Sequence, residues 1–257
     1  MHVERVPVPV ATRAPHGTTN CYVLGTDRAL LVDPPAESDA LDAALSDRTV
    51  AAVAVTHHHP DHVGAVGHYA REHDATVWCR RGREAAFRAA ASVAPDRTFV
   101  EGTTVRADGP VQVLDTPGHA PEHVAFAVPD GVVCGDVAVA EGSVVVGAPE
   151  GDMRAYCSSL RRLWACDPDR LYPGHGPVIE DPRATCERLL DHRYDRERRV
   201  RAAIGEGART LDEITDAAYE KDVSAVRQLA VATVRAHVEK LAVEGQVRWD
   251  GERAAPA

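Results

Sequence analysis

The chain has 257 residues, 44% hydrophobic and 26% charged, with a formal net charge of −10; this is ordinary globular usage and excludes global disorder and a fibrous repeat. No apolar run reaches the roughly 18 residues of a membrane span, and MHVERVPVPV lacks the basic head and apolar stretch of a signal peptide, so a soluble cytoplasmic protein is expected. Cys21, Cys79, Cys134, Cys157, Cys166 and Cys186 are widely spaced with no Cys-x-x-Cys pair, and they read as reduced thiols rather than a disulfide framework.

Charge divides unevenly. Residues 183–257 carry 14 basic and 14 acidic side chains, which leaves 15 basic against 25 acidic before them. That imbalance argues against a broad polyanion-binding face in the first part, so any nucleic-acid contact must be local.

Over the first 180 residues short β-type runs alternate with helix-like segments. CYVLG and ALLVD flank the turn at 25–28 and predict a hairpin, and Ala36 to Leu45 has helical spacing. AAVAV reads as a buried strand ending at Thr56, followed by a polar, His-rich loop, a helix from Val63 to about His73 and a strand at ATVWC. TTVRADGPVQVLD and HVAFAVPDGVVCGD each hold Asp-Gly between β-type runs, a strong hairpin signal. Helix returns from Asp152 to Cys166. Together these predict an α/β fold with layered, mixed sheets.

After Tyr172 the texture changes. Residues 182–203 read as a charged connector helix with an apolar stripe, opened by a proline suited to its first turn. TLDEITDAAYE begins a second helix with Thr210 as N-cap and Glu213 at the capping-box position, and a longer one runs from about Ser224 to Glu244. Gly245 stops it, and QVRWDGER predicts a short hairpin around Asp250-Gly251. Three helices and a small β-wing are the order of a winged-helix domain, giving an expected division into 1–181 and 182–257.

The chemistry concentrates in residues 56–64, THHHPDHVG, at the end of the buried strand. His57, His59, Asp61 and His62 form a ligand set suited to Zn²⁺ and related divalent ions. His57 and His59, two apart, can converge on one ion while Asp61 and His62 turn toward another. His119 in TPGHAPEH, Asp136 in CGD and His175 in YPGHGP each follow an apolar β-type run, the place for functional loops on a rigid scaffold.

On these residues the chain resembles the metallo-β-lactamase fold superfamily: the His-x-His-x-Asp-His signature is matched without substitution, and the later His, Asp and His come in order. The resemblance covers roughly residues 3 to 180 and implies a four-layer αβ/βα sandwich. It places His57, His59 and His119 around one metal, and Asp61, His62 and His175 around the other, with Asp136 bridging. HRYDRERRV, TLDEITDAAY and VRAHVEKLAVEGQV are similar to the winged-helix appendage of the beta-lactamase-like protein 2 group, which includes metal-dependent endoribonucleases acting on single-stranded RNA. Flavodiiron relatives would have Glu where His59 stands, persulfide dioxygenases leave the second metal position unfilled, and the 38 residues between Asp136 and His175 leave no room for the inserted domain of β-CASP nucleases.

The resemblance implies a binuclear hydrolase, with Zn²⁺ expected and Mn²⁺ or Fe²⁺ as alternatives. Paired cations lower the pKa of a bridging water and polarise the oxygen under attack; Asp136 would bridge and Asp61 would orient the hydroxide. Single-stranded RNA is the first-choice substrate and a thioester or other acyl ester, as in the hydroxyacylglutathione hydrolase branch, the second. A third reading, a DNA-binding regulator with a metallo-fold sensor, needs basic residues on the stretch SAVRQLAVATVRAHVEKL, where Arg227, Arg235, His237 and Lys240 stand against Glu239. A homodimer is among the arrangements the sequence permits. His58, between two ligands, is expected to point away from the metals. Asp33 reads equally as an anchor for the metal loop or as a turn residue. Asn20 and Tyr156 line the cleft by resemblance, with core packing at least as good an account of Tyr156. His16, His68, His73, His123, His192 and His237 read as surface or satisfied polar groups, and the run Arg193, Arg196, Arg198, Arg199 and Arg201, broken by Asp195 and Glu197, as a solvated helix face.

Overall fold

The computed structural model describes residues 1–12, 14 and 17–257, so the reading of His16 lies outside the described residues. Two sheets form the centre. The first has six strands in the order β1 (Val3–Pro9), β2 (Thr18–Leu24), β3 (Arg28–Val32), β4 (Thr49–Ala54), β5 (Thr76–Arg80) and β6 (Arg97–Phe99). Its first three strands are antiparallel and the rest parallel. The second runs β11 (Leu171–Pro173), β10 (Gly131–Gly135), β9 (Val124–Val128), β8 (Pro110–Asp115) and β7 (Thr104–Arg106), with β10 and β11 parallel.

Strand alternation sorts the apolar side chains into layers, because successive residues face opposite sides of a sheet. Tyr22, Leu24, Leu30, Val32, Ala52 and Ala54 meet Phe126, Val133 and Tyr172 between the two sheets. Cys21, Val23, Ala29, Leu31 and Val53 face the other way. There they pack beneath α1 (Asp39–Leu45), α3 (Val66–Glu72) and α4 (Glu84–Ala91). Across the molecule Ala125, Val132 and Cys134 pack under α5 (Met153–Cys166) and the first half of α6 (Pro182–Gly205). The result is helices, sheet, sheet, helices, the four-layer α/β sandwich expected. A four-residue α2 (Pro60–Val63) occupies part of the stretch expected as loop. Among the described residues no helix is long and apolar enough to cross a membrane.

The tail adds α7 (Leu211–Ala218), a 3-10 turn at Ser224–Val226, α8 (Arg227–Val243) and the hairpin β12 (Val247–Trp249) and β13 (Ala254–Pro256). Thr210 and Glu213 close a reciprocal capping box at the start of α7. Val200, Ile204, Ile214, Val234, Val238, Leu241, Val247 and Ala254 form a small core of their own. The second hairpin strand falls later than QVRWDGER suggests because the Ala254 N–H donates to the Arg209 carbonyl at 2.8 Å, setting the pairing from outside the hairpin.

Helix α6 packs into two cores, and the reading of its arginine run as a solvated face needs correction. Cys186 and Leu189, both fully buried, pack with α5 and with Ala236 of α8 in the outer core, while Val200 and Ile204 belong to the tail's core. Arg193 is buried rather than solvated, its guanidinium 5.1 Å from the Tyr156 ring and donating to the Val144 carbonyl. Arg196 lies 3.5 Å from the Tyr219 ring and donates to the Ala218 carbonyl. Burying one leucine contributes about 1.5–3 kcal/mol, and domain stabilities are only about 5–15 kcal/mol. A chain ending at Asp181, stripped of Cys186, Leu189 and Ala236, is therefore expected to lose its cooperative thermal transition; a melt monitored by circular dichroism checks this, and a sharp native-like transition would contradict it.

Candidate metal centre

Every side chain expected at the site arrives from the C-terminal end of a strand. His57 and His59 follow β4, Asp61 and His62 sit in α2, His119 follows β8, Asp136 follows β10 and His175 follows β11. The structure brings all seven together. His57, His59 and His119 present ring nitrogens within 4.8 Å of one another, and so do the ligand atoms of Asp61, His62 and His175; a third group joins His57 and His62 to Asp136. Asp136 lies between them, with Oδ1 3.8 Å from His62 Nε2 and Oδ2 3.5 Å from both His119 Nε2 and His175 Nε2.

The outer nitrogens are tied down and the inner ones face one another across the cluster. His175 Nδ1 donates to the Thr18 carbonyl at 2.9 Å and His119 Nδ1 to the Val145 carbonyl at 2.7 Å. His57 Nδ1 lies 3.0 Å from Thr56 Oγ1, and His62 Nδ1 3.0 Å from Asp33 Oδ2. Such partners fix each ring's orientation and tautomer so that Nε2 points inward. His59 is turned the other way: its Nδ1 faces His57 and His119 at 3.0 and 2.9 Å, and its Nε2 pairs with Glu150 at 3.2 Å.

Asp33 is thus an anchor, not merely a turn residue. At a φ of 54°, a left-handed conformation Asp tolerates, it accepts from the Thr56 N–H at 2.6 Å and the Thr56 hydroxyl at 2.7 Å as well as facing His62. Asn20 and Tyr156 do not line the cleft. The Asn20 amide donates to the carbonyls of Pro173 and Gly176, steadying the loop that carries His175, and the Tyr156 hydroxyl donates to the Val137 carbonyl.

The electrostatics are those of imidazoles crowded around buried carboxylates. His62 is buried, which lowers an imidazole's pKa, yet Asp136, Asp33 and Asp61 outweigh burial and raise it to about 9. Burial and the neighbouring imidazoles of His62, His119, His123 and His59 push His57 well down. Burial would raise the Asp136 carboxyl, but His62, His175 and His119 hold it far below the usual carboxylate range. His62 Nε2 and Asp136 Oδ1 are both buried with no hydrogen-bond partner. Orphaned inward atoms of this kind, in a His and carboxylate donor set, suit divalent metal ions.

Four contributors escaped sequence reading. His123 is buried, its Nδ1 2.9 Å from Thr116 Oγ1, and its Nε2 accepts from the Asp136 N–H at 3.0 Å. The Thr12 hydroxyl donates to Asp61 Oδ2 at 2.5 Å. Gly174 leaves room beside the cluster, since a Cβ there would fall 2.5 Å from Asp136 Oδ1 and 2.8 Å from His62 Cε1. Glu122, buried, lies 3.0 Å from His58 Nδ1 and accepts from the His58 N–H at 3.3 Å. His58 points away from the seven, as expected, but into this pair rather than into solvent. Only the EH that ends TPGHAPEH hinted at Glu122 and His123; Thr12 and Gly174 left no signal.

Residues 14–175 match the family described as Metallo-beta-lactamase superfamily. The chain belongs to the metallo-β-lactamase superfamily. It is 30% identical over 253 residues to a beta-lactamase-like protein 2 homolog of Drosophila melanogaster, spanning 90% of this chain and 84% of that one. It is 31% identical over 201 residues to an atrochrysone carboxyl ACP thioesterase of Aspergillus fumigatus, across 72% of this chain and 59% of that one. Among solved structures, a metallo-beta-lactamase family protein of Thermus thermophilus superposes with a TM-score of 0.78 at 26% identity, covering 99% of this chain and 98% of that one. With its His and Asp cluster, this member of the superfamily is a metal-dependent hydrolase.

The supporting residues can be tested apart from the ligands. Gly174→Ala drives a methyl into Asp136 and His62 while leaving the apolar cores untouched; elemental analysis should show a severe loss of bound metal with the far-ultraviolet spectrum retained. Burial alone would raise the Glu122 carboxyl, but the His58 hydrogen bond and charge and the N–H groups of Glu122 and His58 hold it down at about 2. A depressed carboxylate contributes stability above its unfolded pKa, lost as pH falls through the folded value. Melting temperature should therefore drop more steeply between about pH 5 and pH 2 in the parent than in Glu122→Gln; parallel profiles would remove the role assigned to the pair.

Proposed function

We propose that the protein is a two-metal hydrolase in which His57, His59 and His119 hold one divalent cation, Asp61, His62 and His175 hold the other, and Asp136 lies between both. The observation that carries this reading is the pair of three-residue groups on either side of one buried carboxylate, that of Asp136, whose Oδ1 has no hydrogen-bond partner. Zn²⁺ is the first choice, given the His-rich donor set, with Mn²⁺ or Fe²⁺ as alternatives. Bound there, two divalent ions supply an ionised water near neutral pH and polarise the ester oxygen.

The chain's own residues do the positioning. His123, through the Asp136 N–H, and His62, His119 and His175 around its oxygens keep the central carboxylate fixed. Asp61, gripped at Oδ2 by Thr12, is placed to accept a hydrogen bond from the attacking water and aim its lone pair. A thiol nucleophile is not needed: five of the six cysteines are buried, and burial pushes the Cys79 and Cys186 thiols up to about 12.

Single-stranded RNA is the proposed substrate. The reading is supported by likeness to the beta-lactamase-like protein 2 homolog across nearly the whole chain, tail included, and by the order of helices and terminal hairpin in residues 182–257, which we read as a connector helix and winged-helix domain. An acyl thioester is the second reading, favoured by the thioesterase relative. The regulator reading loses ground on charge. Arg227 pairs with Asp212 and Asp216, Arg235 with Glu239, Lys240 with Glu197 and Glu244, and His237 is fully buried, so the helix expected to read duplex DNA has those cations occupied.

Metal-replete protein should hold two equivalents of a divalent ion and cleave 5′-labelled single-stranded RNA faster than it hydrolyses an acyl thioester. Asp61→Asn should lower turnover by about two orders of magnitude or more with metal resupplied, as removal of a transition-state interaction does. One equivalent of iron with no second metal would overturn the metal assignment, and thioester turnover without RNA cleavage would replace the first substrate with the second.

A further inference from the structure

The cations that the sequence offered to a polyanion on α6 and α8 are largely spent on the protein's own carbonyls, carboxylates and rings, but a second group is not. Where the turn between α6 and α7 meets the terminal hairpin, a cleft of about 340 Å³ is lined by Arg209, Arg248, Trp249, Asp250 and Arg253. Arg248 and Arg253 are exposed; neither guanidinium forms an ion pair among the described residues, though the Arg253 charge adds to backbone N–H groups in lowering the Glu213 and Asp250 carboxyls. Arg209 is half-buried, one of its nitrogens fixed on the carbonyls of Ile204 and Ala208.

Two carboxylates stand nearby, and both are engaged with backbone. Asp250 Oδ1 accepts from the N–H groups of Glu252 and Arg253 at 2.9 and 2.7 Å, and Glu213 Oε2 accepts from those of Arg209 and Thr210. Trp249 is half-buried, its ring packed against the tail's small core. The Ala254 N–H donates to the Arg209 carbonyl at 2.8 Å and pins the hairpin to the turn between α6 and α7.

We propose that this cleft binds a segment of single-stranded nucleic acid, with Arg248 and Arg253 on its phosphates and one unpaired base stacked on Trp249. Guanidinium groups match phosphate geometry, and an aromatic face takes any base. A paired base inside a duplex offers no free face to Trp249, which sets the preference for single strands. The inference rests on the RNA reading of the metal site and deepens it by locating a strand-binding surface outside that site.

Anisotropy of a fluorescein-labelled 2′-O-methyl oligoribonucleotide of about 16 nucleotides, the upper end of common single-strand site sizes, tests the cleft with the full, metal-loaded chain, the oligonucleotide being checked intact afterwards. The double variant Arg248→Ala, Arg253→Ala should bind about ten-fold more weakly, with a salt slope smaller by about 1.4, or about 0.7 for each phosphate no longer neutralised on a single strand. Its melting temperature should match the parent's. Trp249→Phe, which keeps an aromatic ring in the core, should abolish the quenching of tryptophan emission that the oligonucleotide causes in the parent. Unchanged affinity and salt slope in the double variant overturn the proposal even if the parent cleaves RNA, and equal affinity for duplex DNA through the same two arginines overturns its single-strand preference. Binding that depends on these arginines in a protein that cleaves no RNA sinks the substrate reading instead and leaves the cleft standing.

Discussion

The metal centre depends on a carboxylate that does not belong to either ligand group. Asp33 is almost wholly buried, and an isolated buried carboxylate is costly unless its oxygens are satisfied. Here both are: one takes the Thr56 N–H, the other the Thr56 hydroxyl and His62 Nδ1. The first two bonds fix where β4 ends and therefore where His57 and His59 begin. The third orients a ligand of the opposite group. One side chain on β3's far end thus sets the register of the ligand loop relative to the sheet. Asp136, Asp33 and Asp61 together outweigh burial and favour positive charge at His62.

A similar dependence ties the tail to the site. Arg188 donates to the carbonyls of Val139, Ala140 and Gly142, and Arg193 to that of Val144. The next carbonyl, Val145, holds His119, and Ala148 donates to Ala232 on α8. Residues 139–148 have no regular structure, so their backbone groups need partners from elsewhere, and α6 and α8 provide them. Arg193, which looked like part of a solvent face, joins Arg188 as a strut holding the wall of the metal site. A buried Arg contributes here by satisfying carbonyls, and removing it would leave those acceptors without partners.

The division between local and distant partners also decides which parts of the molecule are legible in the sequence. The ligand loop, the Asp-Gly hairpins and the Thr210 capping box are local patterns, decided by residues within a few positions of one another. The two Asp-Gly hairpins of the first 180 residues and the capping box occur where the patterns placed them. What escaped was non-local. The strand Val3–Pro9 carries two prolines and lies at a sheet edge, where missing N–H donors are tolerated and where nothing in the sequence requires pairing. Helix α4, rich in alanine with one buried phenylalanine, offers too narrow an apolar stripe to stand out. Arg193 was misread because its burial comes from α5 and residues 139–148, far away in sequence. Glu122 and His123 follow His119 so closely that they looked like the rest of a polar loop, yet each is buried against a different ligand-bearing segment.

Charge distribution connects the two halves. Asp33, Asp61, Glu122, Asp136 and Glu150 surround or support the centre, and the net charge of −10 lies entirely ahead of residue 183. Such a field draws divalent cations in and, until they neutralise it, repels phosphates. Even with two ions in place, the remaining acidic surface offers little to a long polyanion beyond the scissile group. Affinity for such a substrate must then come from cations placed outside the acidic lobe, and the neutral tail is where unpaired guanidiniums stand beside an aromatic ring. On the proposed reading, separating the cations that would grip a strand from the ligands that would cut it lets each environment keep the charge its task requires: acidic where metals would bind, basic where phosphates would.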